Sequence, residues 1–203
     1  MANSSSKKSG QLFKNPILEK LTKTHISIPI TILSGAAIGL IIYGLYHGLV
    51  NTLEVVLLFS AGLFVFTLTE YLMHRYLYHI EPSTESRKKL QYTIHGVHHD
   101  YPNDKERLAM PPIVSAVLAV IVFSLFYLIM GRFAYGFTPG FFVGYSSYLF
   151  IHYSVHAFSA PKNFLKELWV HHSIHHYKDQ EKAFGVSSPL WDYIFRTMPA
   201  RKK

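Results

Sequence analysis

Residues 133–160 read FAYGFTPGFFVGYSSYLFIHYSVHAFSA, an apolar run with no formal charge that carries His152 and His156 close to its end. Its length exceeds the roughly 20 residues that cross about 30 Å of hydrocarbon as a helix. Three similar runs precede it. Ile26 to Val50 and Leu108 to Met130 have no formal charge, and Val55 to Met73 has only Glu70. Pro111–Pro112 suit the N-terminus of a helix. Buried helices of a soluble bundle would carry polar stripes, and these runs lack them. The composition agrees. Apolar residues make up 49% of the 203 and charged residues 16%, against roughly a quarter charged in a soluble domain.

The basic residues set the expected orientation. Lys7, Lys8, Lys14, Lys20 and Lys23 precede the first run, whereas the turn at Asn51–Thr52 holds no Lys or Arg. The next loop holds Arg75, Arg87, Lys88, Lys89, Lys105 and Arg107. The turn near Gly131 holds Arg132 alone, and the C-terminal segment is basic again. This alternation predicts four membrane spans with both termini in the cytoplasm. The net charge of +8 thus fits a membrane surface better than nucleic acid. The chain is expected to be one domain, with residues 1–12 a flexible tail and no room for a fused cytochrome b5 domain. A cleaved signal peptide is not expected, because the first segment lacks an early apolar core. Phe13 to Leu21 reads equally as a short amphipathic helix or a frayed turn.

Without cysteine, disulfides, iron–sulfur ligation and thiolate zinc sites are excluded. Histidine is abundant instead. Eleven of the thirteen fall in four windows: His74 and His79; His95, His98 and His99; His152 and His156; His171, His172, His175 and His176. Residues three and four apart share a helix face, so each triplet, 95/98/99 and 172/175/176, presents its imidazoles to one place. His74 and His79 lie about 140° apart on an ideal helix. They need a helix end between them, or two different metals. All four windows fall on the cytoplasmic side of the topology, which was derived from lysine and arginine alone. Ten imidazoles exceed the four ligands of a single tetrahedral zinc and suit two metals with four or five ligands each. Imidazole binds iron as well as zinc. Zinc has no redox chemistry, so iron is the metal expected for an oxidative activity, with zinc as an alternative occupant.

Three acids are candidates for orienting these ligands by accepting their second N–H: Asp100 beside His99, Asp192 in the C-terminal segment, and Glu70 four residues before His74. A helix cap or an interfacial polar residue is the plain alternative for the two aspartates. Tyr76, Tyr78, Trp169, Trp191 and Tyr193 read more readily as interfacial anchors than as a substrate entrance. A histidine-rich metal transporter would spread its ligands along a path near the bilayer midplane, and a bis-histidine haem protein would place isolated histidines on facing spans.

At these residues the chain resembles the fatty acid hydroxylase superfamily of membrane di-metal enzymes, and within it the fatty acid 2-hydroxylase (sphingolipid α-hydroxylase) branch. The likeness rests on His95-Gly-Val-His98-His99-Asp100-Tyr101-Pro102 through Arg107-Leu108-Ala109-Met110-Pro111-Pro112. It rests equally on His172-Ser-Ile-His175-His176-Tyr177-Lys178, running on through Phe184-Gly185-Val186-Ser187-Ser188 to Trp191-Asp192-Tyr193-Ile194-Phe195. Phe13-Lys14-Asn15-Pro16 is also similar. The resemblance implies an all-α membrane protein, four transmembrane helices under a cytoplasmic helical cap with a di-metal site. The ligands it implies are His74, His79, His95, His98, His99, His152, His156, His172, His175 and His176, with His171 outside the pattern. It implies O₂-dependent hydroxylation at C2 of a long acyl chain, free, CoA-bound or in a ceramide. No haem is expected. Electrons would come from a separate cytochrome b5, or from a ferredoxin with its reductase, in the bacterial inner membrane or the endoplasmic reticulum. A sterol or carotenoid oxidase of the same superfamily is the alternative enzyme. Tyr148 matches the branch, but Leu149 stands where many eukaryotic members carry an aspartate.

Overall fold

A computed structural model describes residues 10–200. Ser9 and the residues before it, most of the expected tail, lie outside the described part. Leu12 and Phe13 donate their backbone N–H groups to Glu19, in the short helix α1 (Pro16–Leu21) that Asn15 caps. The described residues are helical and form no strand. The long helices are α2 (Ser27–Tyr46), α3 (Thr52–Leu72), α6 (Pro112–Met130) and α7 (Ala134–Ala157). Short helices α4 (Glu85–Gln91), α5 (Val97–Asp100), α8 (Lys166–Tyr177) and α9 (Leu190–Ile194) lie between and after them.

Three helical stretches, Ser27–Tyr46, Thr52–Tyr78 and Lys105–Ala157, are long and apolar enough to cross a membrane. By length and composition the chain is a multi-pass membrane protein. The third stretch contains two of the four expected runs, α6 and α7, joined by a tight turn at Gly131–Phe133. Gly131 adopts φ 56° there, a left-handed conformation that glycine takes without steric cost. Apolar side chains face outward along these helices, among them Ile42, Leu57, Val120 and Leu128. Water would penalise such a surface, whereas acyl chains match it.

A capping box starts α3. Asn51 accepts from the Glu54 N–H, and Glu54 accepts from that of Asn51. Arg132 then bridges the two turns at this end, donating to the Leu49 carbonyl and to both Glu54 carboxylate oxygens. The single cation of these turns is thereby neutralised.

Helices α3 and α7 approach most closely through glycines. Gly136, Gly140 and Gly144 recur every four residues and so form one stripe of α7. A Cβ on Gly140 would overlap the Phe59 carbonyl, and one on Gly144 would stand 2.7 Å from the Phe66 ring. Gly62 of α3 repeats the arrangement against the Phe137 carbonyl. Small residues that let backbones touch are the usual glue between helices in lipid, where apolar burial gives no driving force. This contact carries Glu70 on α3, and His74 just beyond its end, to the level of His152 and His156 on α7. The packed core around it includes Leu33, Phe66, Phe142, Tyr148, Leu149 and Val186.

Candidate metal centre

Two elements at one end of the bundle depart from α-helical winding. Met73–Tyr78 and Tyr92–Gly96 are π-helical. In a π turn the hydrogen bond spans five residues, so residues five apart stand one above the other. The His79 N–H accordingly reaches the His74 carbonyl at 3.2 Å, and the helix ends at His79. This answers the spacing that an ideal α-helix forbids. His74 and His79 serve one cluster, with no need for two metals.

The ten expected ligands gather into two groups of five. His74, His79, His95, His99 and His175 form one, and His98, His152, His156, His172 and His176 form the other. Within each, one ligand nitrogen per residue lies within 4.8 Å of all the others. The triplets therefore divide, where the sequence places all three imidazoles together. His95 and His99 go to the first cluster and His98 to the second; His172 and His176 go to the second and His175 to the first. The physical reason is that i,i+4 residues point nearly alike, whereas the intervening histidine is rotated by about 100° from its neighbour. The two histidines outside the four windows, His25 and His47, lie elsewhere. His25 bonds Ser27, and the His47 ring lies tilted against Tyr43 and edge-on to Tyr46 at the far end of α2.

Hydrogen bonds fix the ring orientation in the first cluster. His74 Nδ1 lies 2.5 Å from the Phe184 carbonyl and His175 Nδ1 2.8 Å from that of Lys182. A carbonyl only accepts, so each Nδ1 carries the proton and each Nε2 turns a bare lone pair inward. These Nε2 atoms face those of His95 at 3.1 Å and His79 at 2.9 Å. In the second cluster, His98 Nε2 faces His152 at 3.0 Å, and His156 Nε2 faces His172 at 2.8 Å. Both ring nitrogens of the buried His176 lack a protein partner. Converging lone pairs and a buried imidazole without partners are costly in a dry interior. Cations held by five imidazoles each would remove both costs, so the donor set fits metal ions that accept nitrogen.

None of the three acids expected to orient a ligand histidine touches one; Asp192 and Glu70 hold backbone N–H groups instead. Asp192, fully buried, accepts from the N–H groups of Phe184 (2.9 Å) and Gly185 (2.7 Å), from Thr197 Oγ1 (2.7 Å) and from His171 Nε2 (2.9 Å). Burial alone would raise its pKa, but the hydrogen bonds from His171, Thr197 and Gly185 outweigh that and hold it below the usual carboxylate value. Glu70 accepts from the N–H groups of Val186 (2.7 Å) and Ser187 (2.8 Å) and from the Ser187 hydroxyl. The four consecutive N–H groups of residues 184–187 are thus held by two acids, and the carbonyls of 182 and 184 hold two histidines. We call residues 182–187 the strap. Gly185 is required within it, because a Cβ there would overlap the Ser188 carbonyl. Asp100 is exposed and pairs with the Tyr92 hydroxyl, away from the clusters. His171, outside the ligand pattern, is the partner of Asp192.

The aromatic candidates divide as well. Tyr78 stacks on His95 with ring centroids 5.1 Å apart, and Tyr148 on His152 at 5.5 Å. Tyr76 and Tyr193 are exposed. The Trp169 indole donates to the Phe158 carbonyl and the Trp191 indole to Thr67. Sequence reasoning missed the strap's carbonyls and the Gly136-x₃-Gly140-x₃-Gly144 stripe. The stripe was open to view as a spacing; no side-chain pattern marks a carbonyl.

Burial, and then repulsion from neighbouring imidazoles, pushes His99 down to about 3; burial pushes His175 down to about 4. Unfolded histidines protonate near about 6.5. Between these values the unfolded chain binds protons that the folded clusters refuse, so the folded state loses stability as pH falls through that window. Thermal unfolding of metal-stripped protein is expected to move to lower temperature from pH 7.5 to pH 5, and to change little above pH 7. An unfolding temperature that holds steady down to pH 5 would contradict the burial of neutral imidazoles.

The family model for fatty acid hydroxylase matches residues 59–197, which take in all ten histidines and the strap. The chain belongs to the fatty acid hydroxylase family. Among its hydroxylase relatives, rat fatty acid 2-hydroxylase is 37% identical over 70% of this chain and 39% of its own length. An Arabidopsis thaliana dihydroceramide fatty acyl 2-hydroxylase is 34% identical over 73% of this chain and 63% of its own. The ceramide very long chain fatty acid hydroxylase of Saccharomyces cerevisiae is 36% identical over 94% of this chain and 50% of its own. The chain thus spans between about two-fifths and two-thirds of these relatives. A solved structure of full-length scs7p, with only its hydroxylase domain visible, superposes with a TM-score of 0.80 at 34% identity. It covers 96% of this chain and 74% of that one.

Proposed function

We propose that the chain is a membrane fatty acid 2-hydroxylase acting as one hydroxylase domain, its two five-histidine clusters each holding one metal ion. The observation that carries this reading is the pairing of two buried imidazole quintets with relatives named as fatty acid and dihydroceramide fatty acyl 2-hydroxylases. The balanced reaction takes an acyl C2–H, O₂, two electrons and two protons to a C2–OH and water. Two iron ions would supply the O₂ activation and redox capacity that this needs, and zinc would fill the same imidazoles without turnover.

The chain's own residues do the rest. The Phe184 and Lys182 carbonyls hold the Nδ1 protons of His74 and His175, so their Nε2 atoms stay free for metal. Glu70 and Asp192 fix those carbonyls by holding the strap from its N–H side. The proposed topology has four spans, α2, α3, α6 and α7. The histidine-bearing end faces the cytoplasm, on the side where Lys and Arg concentrate. The substrate then arrives from the bilayer, and a separate cytochrome b5 or ferredoxin supplies the electrons.

Expression in a host that lacks 2-hydroxy lipids, with a donor and reductase supplied, tests this. Lipid mass spectrometry is expected to find 2-hydroxy acyl chains. Their absence from a strain whose purified protein carries both metals would overturn the assignment. Oxidised sterols or carotenoids in their place would favour the other enzyme of the same chemistry.

A further inference from the structure

Helix α9 has two unlike faces. Asp192 on one is fully buried and holds the strap, while Leu190, Tyr193, Ile194 and then Phe195 point outward with 43%, 76%, 50% and 43% of their surface exposed. Its depth is set by α3. The Trp191 indole donates to Thr67 Oγ1 at 2.9 Å, and its ring lies 5.6 Å from that of Phe64. Thr67 and Phe64 precede His74 by seven and ten positions, which at about 1.5 Å per residue is roughly 10–15 Å along α3 from the metal layer toward the middle of the bundle. α3 itself exposes Leu63, Phe64 and Val65 at this level, within a stretch apolar enough to cross a membrane. The exposed Arg196 follows directly, a cation placed to reach headgroups from an apolar segment.

We propose that α9 is seated in the bilayer against α3, with Leu190, Tyr193, Ile194 and Phe195 in contact with lipid acyl chains. The segment after α8 then returns into the membrane edge instead of lying in water above it. Asp192 sits on this helix, so lipid contact on one face and strap geometry on the other belong to one rigid element. The inference rests on the membrane placement of α3 proposed above and is independent of the reaction.

The chain has no cysteine, so single labels are unambiguous. Nitroxides would be placed on Tyr193→Cys and, separately, Ile194→Cys in the full chain, reconstituted in phosphatidylcholine–phosphatidylglycerol discs. Ile42→Cys, on the exposed apolar face of α2, serves as the lipid reference, and Glu85→Cys, on α4, as the water reference. Accessibility to O₂ relative to a water-soluble nickel chelate is expected to match Ile42 at both α9 positions and to exceed Glu85 several-fold. Ratios like that of Glu85 at both positions, with Ile42 still reporting lipid, would overturn the inference. Dipolar broadening between labels would also overturn it, by putting a second copy of the chain where lipid is proposed. A water-like ratio at Ile42 would instead strike at the membrane placement itself.

Discussion

Replacing His98 with alanine is expected to lower metal content from two ions per chain to about one and to abolish hydroxylation. His98 is the only member of its triplet in the second cluster; its Nε2 faces His152 at 3.0 Å, and its ring packs 4.6 Å from that of His156 and 4.7 Å from that of His176. Its loss removes the contribution of α5, leaving four imidazoles from α7 and α8. The first cluster keeps all five of its own, so its metal should stay. Metal analysis of purified protein, with circular dichroism to confirm helix content, checks both halves. Full metal content and activity would refute the two-cluster assignment.

Glu70→Ala is expected to cost about 2–5 kcal/mol of stability, because the buried N–H groups of Val186 and Ser187 lose their acceptor. The chemical effect follows through the strap. Once residues 186–187 are released, the Phe184 carbonyl is no longer held against His74 Nδ1, and the first cluster should bind its metal more weakly. Partners of this kind, which act behind a ligand, are worth about 10–100-fold in metal affinity or activity. Glu70→Gln keeps an acceptor for both N–H groups and is expected to retain most of the fold. Metal titration of the two variants separates the effects. Equal loss of both metals in Glu70→Ala, with normal unfolding, would contradict the strap's selective role.

The convergence of the histidines was legible because their chemistry is local: four short windows, with the family resemblance, marked the ten that gather. Their division between clusters was not legible. It depends on the angle between His98 and His99 and on how α5 and α8 face each other, which no one-dimensional spacing contains. The π winding at Met73–Tyr78 was hidden for a related reason. Five-residue spacing contradicts an α-helix, but the chain carries no residue type that announces the wider turn. Glu70 and Asp192 were found as acids near ligands, yet their targets were misread because backbone N–H groups have no letter in the sequence. Asp100 failed for the opposite reason: adjacency to His99 places it on another face of α5, toward Tyr92. The long apolar helices were the easiest part, since apolar runs are compositional, whereas the glycine stripe needed its spacing noticed.

Anomalous scattering from crystals of metal-loaded protein tests the two-cluster account most directly. Two peaks per chain are expected. One should be bonded by nitrogens of His74, His79, His95, His99 and His175, and the other by those of His98, His152, His156, His172 and His176. A single peak shared by both groups, or ligands drawn from one intact triplet, would contradict it.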